Sequence, residues 1–248
     1  MIELVDVWKA FGTREILRGM TFTVEKGQTY VLMGRSGIGK SVTLRHVIGI
    51  LVQDRGSVRV DGQEVDKLDA KGLMRLRTRM GYLFQNGALI NWLTVEQNVA
   101  LPLEEHGPRG EGKKLSKGEV KERVMRVLKV VGMDQAAAQF PDKISGGMKL
   151  RTGLARALVT EPEYVLYDEP NAGLDPIMSD QIHQLIVEVR DRLGVTGLVV
   201  THSRSCAFTV ANKIGVIDDG KILEEGTVEA MRHSKTPLVR LFLGGGTD

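Results

Sequence analysis

Gly34-Arg-Ser-Gly-Ile-Gly-Lys-Ser41 restricts the possible fold of this chain more than any other stretch. It fits the spacing GxxxxGK[ST] and lies inside QTYVLMGRSGIGKSVTLRHVIGIL, between an apolar run and a helix-forming one. The order reads strand, glycine-rich turn, helix. Glycines at these positions let successive backbone N–H groups turn inward on a phosphate, and the N-terminus of the following helix adds partial positive charge. Gly34, Arg35, Ser36, Gly37, Ile38, Gly39, Lys40, Ser41 and Val42 are therefore the expected nucleotide-binding residues. The Lys40 ammonium would reach the β- and γ-phosphates and the Ser41 hydroxyl would ligate Mg²⁺. The alternative is a tight strand-to-helix turn whose glycines serve packing alone.

The surrounding pattern is that of an α/β fold. Strands are expected around residues 2–8, 20–25, 57–60 and 80–84, where apolar and β-branched residues alternate between glycines. EYVLYDEP and TGLVVTHS are compact apolar runs bounded by turn residues, as buried parallel strands tend to be. A sheet with crossover helices should form the main lobe, about residues 1–87 and 161–232. Residues 106–118, HGPRGEGKKLSKG, read as an exposed loop, and EVKERVMRVLKVVGM reads as a helix with Val124, Leu128 and Val131 on one face. A mostly helical subdomain is expected over about 88–160, and a short C-terminal helix over 233–248 with a frayed LGGGTD end.

Composition removes several function classes. A formal charge of +3 is too small an excess to argue for nucleic acid as a partner. Cys206 is the sole cysteine, so neither an intrachain disulfide nor a cysteine metal cluster can form, and the five histidines show no zinc-ligand spacing. No apolar run approaches the roughly 18–20 residues needed to cross a bilayer, and MIELVDVWKA lacks the features of a signal peptide, so the chain is expected on the cytoplasmic side.

Other stretches carry chemistry or a plainer structural duty. YVLYDEP puts Asp168 and Glu169 at the end of a hydrophobic run, where one carboxylate can hold Mg²⁺ and its neighbour can polarise a water; alone, such a pair is usually a solvated turn. KISGGMKLR places Ser145, Gly146 and Gly147 where a helix begins, which suits an anion or a simple serine N-cap.

Together these residues resemble the ATP-binding cassette (ABC) ATPases over nearly the whole chain. ISGGM at 144–148 is similar to that family's LSGGQ, with Ile144 for leucine and Met148 for glutamine. The resemblance implies one α/β domain, 1–248: a RecA-like phosphate-loop core, an antiparallel β subdomain and a helical signature subdomain. It also implies ATP and Mg²⁺ as ligands, with Glu169 as the base and Asp168, Ser41 and Gln85 on the metal side. Gln85 in YLFQNGA would contact Mg²⁺ or the attacking water, His202 after LVVT would contact the γ-phosphate, and Phe11 in VWKAFG would stack on adenine, with Trp8 competing. A head-to-tail homodimer follows, in which Ser145, Gly146, Gly147 and Asp175 of one subunit complete the site held by Lys40 of the other.

Three stretches, LFQNGALINWLTVEQNVALPL, ISGGMKLRTGLARAL and YDEPNAGLDPIMSDQI, look most like the ATPases of Mla/Mce-type lipid transporters. That likeness implies lipid movement, peripheral attachment to the cytoplasmic face of the inner membrane, and a permease docked near Gln85 and the helical subdomain. A periplasmic MCE-type lipid-binding protein and a small regulatory subunit are its further expected partners. Thr152 in place of an aliphatic residue, Ser203 in place of the aspartate after the histidine, a long 106–118 loop and a short tail depart from the pattern, and the tail argues against a regulatory subunit that grips an extended C-terminus. Competing readings are an ABC ATPase for another cargo such as amino acids, a soluble cassette acting on DNA or ribosomes, and a phosphate-loop kinase, which would leave the Ser-Gly-Gly turn and His202 unexplained.

Overall fold

The computed structural model describes residues 1–108 and 115–244, and the chain packs as two compact units, Met1–Leu73 with Ile186–Asp248, and Met74–Leu185. The first unit opens with β1 (Ile2–Phe11), β2 (Arg14–Val24) and β3 (Thr29–Met33), then runs through α1 (Lys40–Val47), β4 (Arg55–Val60), β5 (Gln63–Glu64) and the start of α2 (Ala70–Thr78). The second holds β6 (Met80–Leu83), α3 (Val95–His106), α4 (Lys117–Val130), α5 (Gly146–Leu158), β7 (Tyr164–Asp168) and the first half of α6 (Pro176–Leu193). The chain then returns to the first unit through β8 (Thr196–Thr201), α7 (Arg204–Val210), β9 (Lys213–Asp218), β10 (Lys221–Thr227), α8 (Val228–Arg232) and α9 (Pro237–Leu243).

The first unit contains an antiparallel sheet in the order β2-β1-β4-β5 and a run of strands in the order β10-β9-β3-β8. All five residues of β3 are buried, and Tyr30–Met33 lie between parallel neighbours β8 and β9, which explains the apolar run Val31–Met33. The β1–β2 hairpin is longer than the sequence pattern suggests, pairing Ile2 with Val24 at one end and Phe11 with Arg14 at the other. Its outer half carries exposed Phe11, Arg14 and Glu15, so apolar alternation stops there although the backbone ladder continues.

In the second unit β6 and β7 pair in parallel, Met80 opposite Tyr164. Every regular element between residues 88 and 160, among those described, is helical. Helix α3 starts with a capping box formed by Thr94 and Gln97, and α4 buries Val124 and Leu128 and ends on buried Val131.

The expected loop at 106–118 needs correction. His106 closes α3, Gly107 and Pro108 are buried, and Ser116 already caps α4 in a capping box with Glu119; residues 109–114 lie outside the described residues. The Ser-x-x-Glu spacing was the local signal for this earlier helix start. Leu243 closes α9 and Gly244 caps it, so the first two residues of LGGGTD belong to the helix end; residues 245–248 of that expected frayed end lie outside the described residues. Among the described residues, no helix is long and apolar enough to cross a membrane.

Candidate nucleotide site

In the first unit, β3 ends at Met33 and α1 begins at Lys40, so Gly34–Gly39 form the turn the spacing predicted. Lys40 is only 5% exposed, and its ammonium donates to the carbonyls of Gly34 at 2.9 Å and Arg35 at 3.0 Å. A buried cation wrapped by its own loop is preset for an anionic ligand. Gly39 adopts φ +110°, and a Cβ there would come within 2.9 Å of Ile16 Cγ2, so both conformation and space require glycine. Arg35, Ser36 and Gly37 are exposed, while Ile38, Ser41 and Val42 are half-buried.

Strand pairing also brings His202 to this loop. Met33 is in register with Thr201, and the Gly34 N–H donates to the Thr201 carbonyl at 3.4 Å, so exposed His202 follows the residue paired to the strand end that launches the loop. Ser203, one of the departures from the family pattern, caps α7 by accepting from the Cys206 N–H at 3.3 Å.

Phe11 ends β1 with 48% of its surface exposed, as a stacking platform needs. Trp8 is already engaged. Its indole N–H donates to Asp6 at 2.8 Å and the Arg55 guanidinium lies 4.4 Å from its ring centroid. Asp54 secures the strand just before Phe11, accepting from Lys9 Nζ and from the Ala10 N–H at 2.7 Å each, while its own N–H donates to the Trp8 carbonyl at 2.8 Å. The hydrogen bond from Lys9 is the largest cause holding the Asp54 carboxyl below its ordinary pKa. A cavity of about 500 Å³ lies against the tip of the phosphate loop, lined by Thr13, Arg14, Ile16, Gly37 and Ile38 among others.

In the second unit, half-buried Asp168 ends β7 and its Oδ2 accepts from the Tyr82 hydroxyl at 3.0 Å. Glu169 follows at φ +49°, a left-handed conformation that costs a residue other than glycine roughly 1–2 kcal/mol. Strain of this kind collects at functional positions. Gln85 is exposed and opens a 3₁₀ turn, Gln85–Gly87.

The Ser-Gly-Gly turn takes on the plainer duty as well. Ser145 caps α5, accepting from the Met148 N–H at 3.3 Å, so Met148 contributes a backbone group and its side chain leaves the turn intact. Acting as acceptor leaves the serine proton available to an anion. Ser145 and Gly146 are exposed, whereas a Cβ on Gly147 would fall 2.2 Å from the Met178 methyl. Asp175 accepts from the Met178 N–H at 2.9 Å and caps α6, with Pro176 in the first turn. Thr152, the other unusual residue, is buried and donates to the Met148 carbonyl at 2.8 Å, so its hydroxyl is satisfied.

Sequence reasoning passed over four residues that organise these loops: Asp54, Tyr82, Asn98 and Arg156. Asn98 is fully buried; its Nδ2 donates to the carbonyls of Ile90, Leu93 and Thr94 at 3.0 Å each and its Oδ1 accepts from the Ile90 N–H at 2.8 Å. The loop so fixed displays Trp92, 79% exposed. A polar residue inside an apolar helix face, as in VEQNVALPL, was the available signal.

The donor chemistry fits Mg²⁺ with nucleotide. Among the described residues no group of three or more His, Cys, Asp or Glu could cage a metal. The expected donors, the Ser41 hydroxyl, the Asp168 carboxylate and the Gln85 amide oxygen, are hard oxygens with a single charge, which suits an ion that keeps water and phosphate oxygens in its shell.

A phosphate loop after a buried parallel strand, a carboxylate pair after a second one and a Ser-Gly-Gly helix start define a nucleotide-binding cassette. The chain belongs to the ABC transporter family, whose profile matches residues 17–172, and it has that family's ATPase cassette fold; such cassettes bind ATP with Mg²⁺. It is 40% identical over 244 residues, 98% of its length, to the probable ribonucleotide transport ATP-binding protein mkl of Mycobacterium bovis. It is 37% identical over 246 residues, 99% of its length, to the methionine import ATP-binding protein MetN of Rhizobium etli. The chain spans 66% of the length of each of these relatives. Among solved structures, the dimeric post-hydrolysis state of the ATP-binding cassette MJ0796 bound to ADP and Pi matches with a TM-score of 0.83 at 29% identity, covering 92% of this chain and 99% of that one. The structure of cbiO1 from Clostridium perfringens, part of the ABC transporter complex cbiONQ, matches with a TM-score of 0.82 at 27% identity, covering 97% and 96%.

Proposed function

We propose that this chain is the ATP-hydrolysing subunit of a membrane ABC transporter that moves phospholipids or other lipids, working as a homodimer on the cytoplasmic face of the inner membrane. The observation that carries the ATPase reading is the buried Lys40 ammonium held inside the Gly34–Gly39 turn at the head of α1. Lys40 and the loop amides bind the phosphates, and Phe11 stacks on the adenine. Ser41, Asp168 and Gln85 would hold Mg²⁺, which would supply charge neutralisation to the phosphate oxygens. Glu169 draws the proton from the attacking water, and His202 hydrogen-bonds the γ-phosphate. Ser145, Gly146, Gly147 and Asp175 act on the nucleotide of the partner subunit. A transporter of this kind works with a membrane-spanning permease, and the Asn98-braced loop that carries Trp92, close in sequence to Gln85, offers it an aromatic anchor.

The lipid cargo rests on the Mla/Mce-like stretches around Gln85, Ser145 and Asp175; a periplasmic MCE-type protein and a small regulatory subunit belong to the same reading. A second reading, an importer ATPase for an amino acid, is favoured by the likeness to MetN. Co-reconstitution in proteoliposomes separates them. Hydrolysis stimulated several-fold by an MCE-linked permease with phospholipid supports the lipid reading; stimulation only by an amino-acid permease with its substrate rejects it.

A further inference from the structure

The backbone immediately after Gln85 is unusual: Asn86, Gly87 and Ala88 have φ values of 61°, 76° and 45°, three left-handed residues in succession. Two of them carry a Cβ, so the run is unfavourable by itself and must be held from outside. Helix α5 holds it. The Arg156 guanidinium donates through Nη2 to the Gly87 carbonyl at 2.8 Å and through Nη1 to the Ala88 carbonyl at 2.9 Å. One turn earlier the two backbones touch: a Cβ on Gly153 would lie 2.9 Å from Gly87 Cα, and a Cβ on Gly87 would lie 2.5 Å from the Lys149 carbonyl oxygen. Lys149, Gly153 and Arg156 are spaced i, i+4, i+7, so one stripe of α5 grips the loop.

The same helix begins at Ser145. On another face it meets the start of α6, through the Met178 methyl against Gly147 and through Arg151, which donates to Gln181 at 2.6 Å. Among the described residues Arg156 forms no ion pair; its partners are the two carbonyls, and burial pushes its pKa down. A half-buried guanidinium without a counter-charge is a costly way to fill space, and an apolar side chain would fill it more cheaply. What it supplies is a planar two-pronged donor matched to two successive carbonyls.

We infer that Arg156 is a positioning residue for Gln85, fastening the left-handed run Asn86–Gly87–Ala88 to α5 so that the glutamine loop and the Ser145 end of the helix are displaced together. This rests on the roles proposed above for Gln85 and Ser145. A change at the glutamine is thereby carried along a rigid helix of 13 residues to the Ser-Gly-Gly turn.

The test is a double-variant cycle on the full chain, Gln85→Ala, Arg156→Met and both together, reading kcat, KM for ATP and half-saturating Mg²⁺. Arg156→Met should lower kcat about ten-fold while KM for ATP stays within about two-fold, and Arg156→Lys, able to reach one carbonyl but not both, should recover part of the loss. The double variant should lose no more than Gln85→Ala alone, because both lesions remove one function. An Arg156→Met chain with parental kcat, or losses that multiply in the double variant, overturns the inference. If Gln85→Ala itself keeps parental kcat, the role given to Gln85 fails and the inference with it, an outcome distinct from failure of the clasp alone. Should Arg156→Met not fold, Gly87→Ala strains the same contact from the loop side; there, a fall in kcat at constant KM supports the inference and an unchanged kcat overturns it.

Discussion

The Tyr82 hydroxyl donates to Asp168 Oδ2 at 3.0 Å, joining the parallel pair β6 and β7 at the point where the Asp168 carboxylate leaves the sheet. This bond restrains the carboxylate from within the sheet, the part an outer partner would play if Asp168 holds Mg²⁺ as proposed. Tyr82→Phe should raise the Mg²⁺ concentration for half-maximal hydrolysis by about three- to ten-fold and leave Mg²⁺-free nucleotide binding intact, measured by titration of activity and by calorimetry. An unchanged Mg²⁺ curve would show that Asp168 needs no such support.

Glu169 combines the proposed base with a left-handed backbone at φ +49°. Glu169→Gln should cut turnover by about 10²-fold or more while ATP still binds and a dimer accumulates on size-exclusion chromatography. Glu169→Gly should be equally inactive yet melt at a higher temperature, because glycine accepts that φ without strain. A Gln variant hydrolysing at the parental rate would refute the assignment.

Asp54 braces the strand that ends in Phe11 by accepting from Lys9 Nζ and the Ala10 N–H. Asp54→Ala should weaken ATP binding about three- to ten-fold and leave inorganic triphosphate binding unchanged, since only the platform proposed for adenine is loosened. Equal losses for both ligands would place the effect in the phosphate loop instead.

His183, on α6, is fully buried, neither ring nitrogen has a hydrogen-bond partner among the described residues, and Asp180 Oδ1 is 3.7 Å from Nδ1, beyond hydrogen-bonding reach. Burial, opposed in part by Asp180, pushes its pKa below the ordinary value. The unfolded chain therefore takes up the proton first as pH falls, so the neutral ring's contribution to stability is complete above about pH 6.5 and is lost below it, toward the lowered folded value. Urea denaturation at about pH 7.5 and pH 5.5 should show a smaller acid loss for His183→Leu than for the parent. Identical losses would move the acid sensitivity to other groups.

Much of the site was legible because local spacing carries it. The run from Gly34 to Ser41 announces its own turn, and YVLYDEP and TGLVVTHS read as the buried strands β7 and β8. The outer part of the β1–β2 hairpin was not legible, since exposed Arg14 and Glu15 give no apolar alternation. The start of α4 was misread because glycine and lysine in 106–118 masked the Ser116–Glu119 cap. Ser145 and Asp175, read as ligand groups, also prove to be helix caps, and a short polar side chain at a helix start can serve either role from the same sequence.

The sequence by itself determined the order of strand, phosphate turn and helix, the family, and the residue types able to bind nucleotide and Mg²⁺, because each depends on neighbours a few positions apart. Only the tertiary structure decided that Tyr82 holds Asp168, that Asp54 braces the strand before Phe11 and that Arg156 clasps the loop after Gln85. Those partners are 86, 44 and 69 residues apart, and no local periodicity encodes a hydrogen bond that exists only once separate segments have packed together.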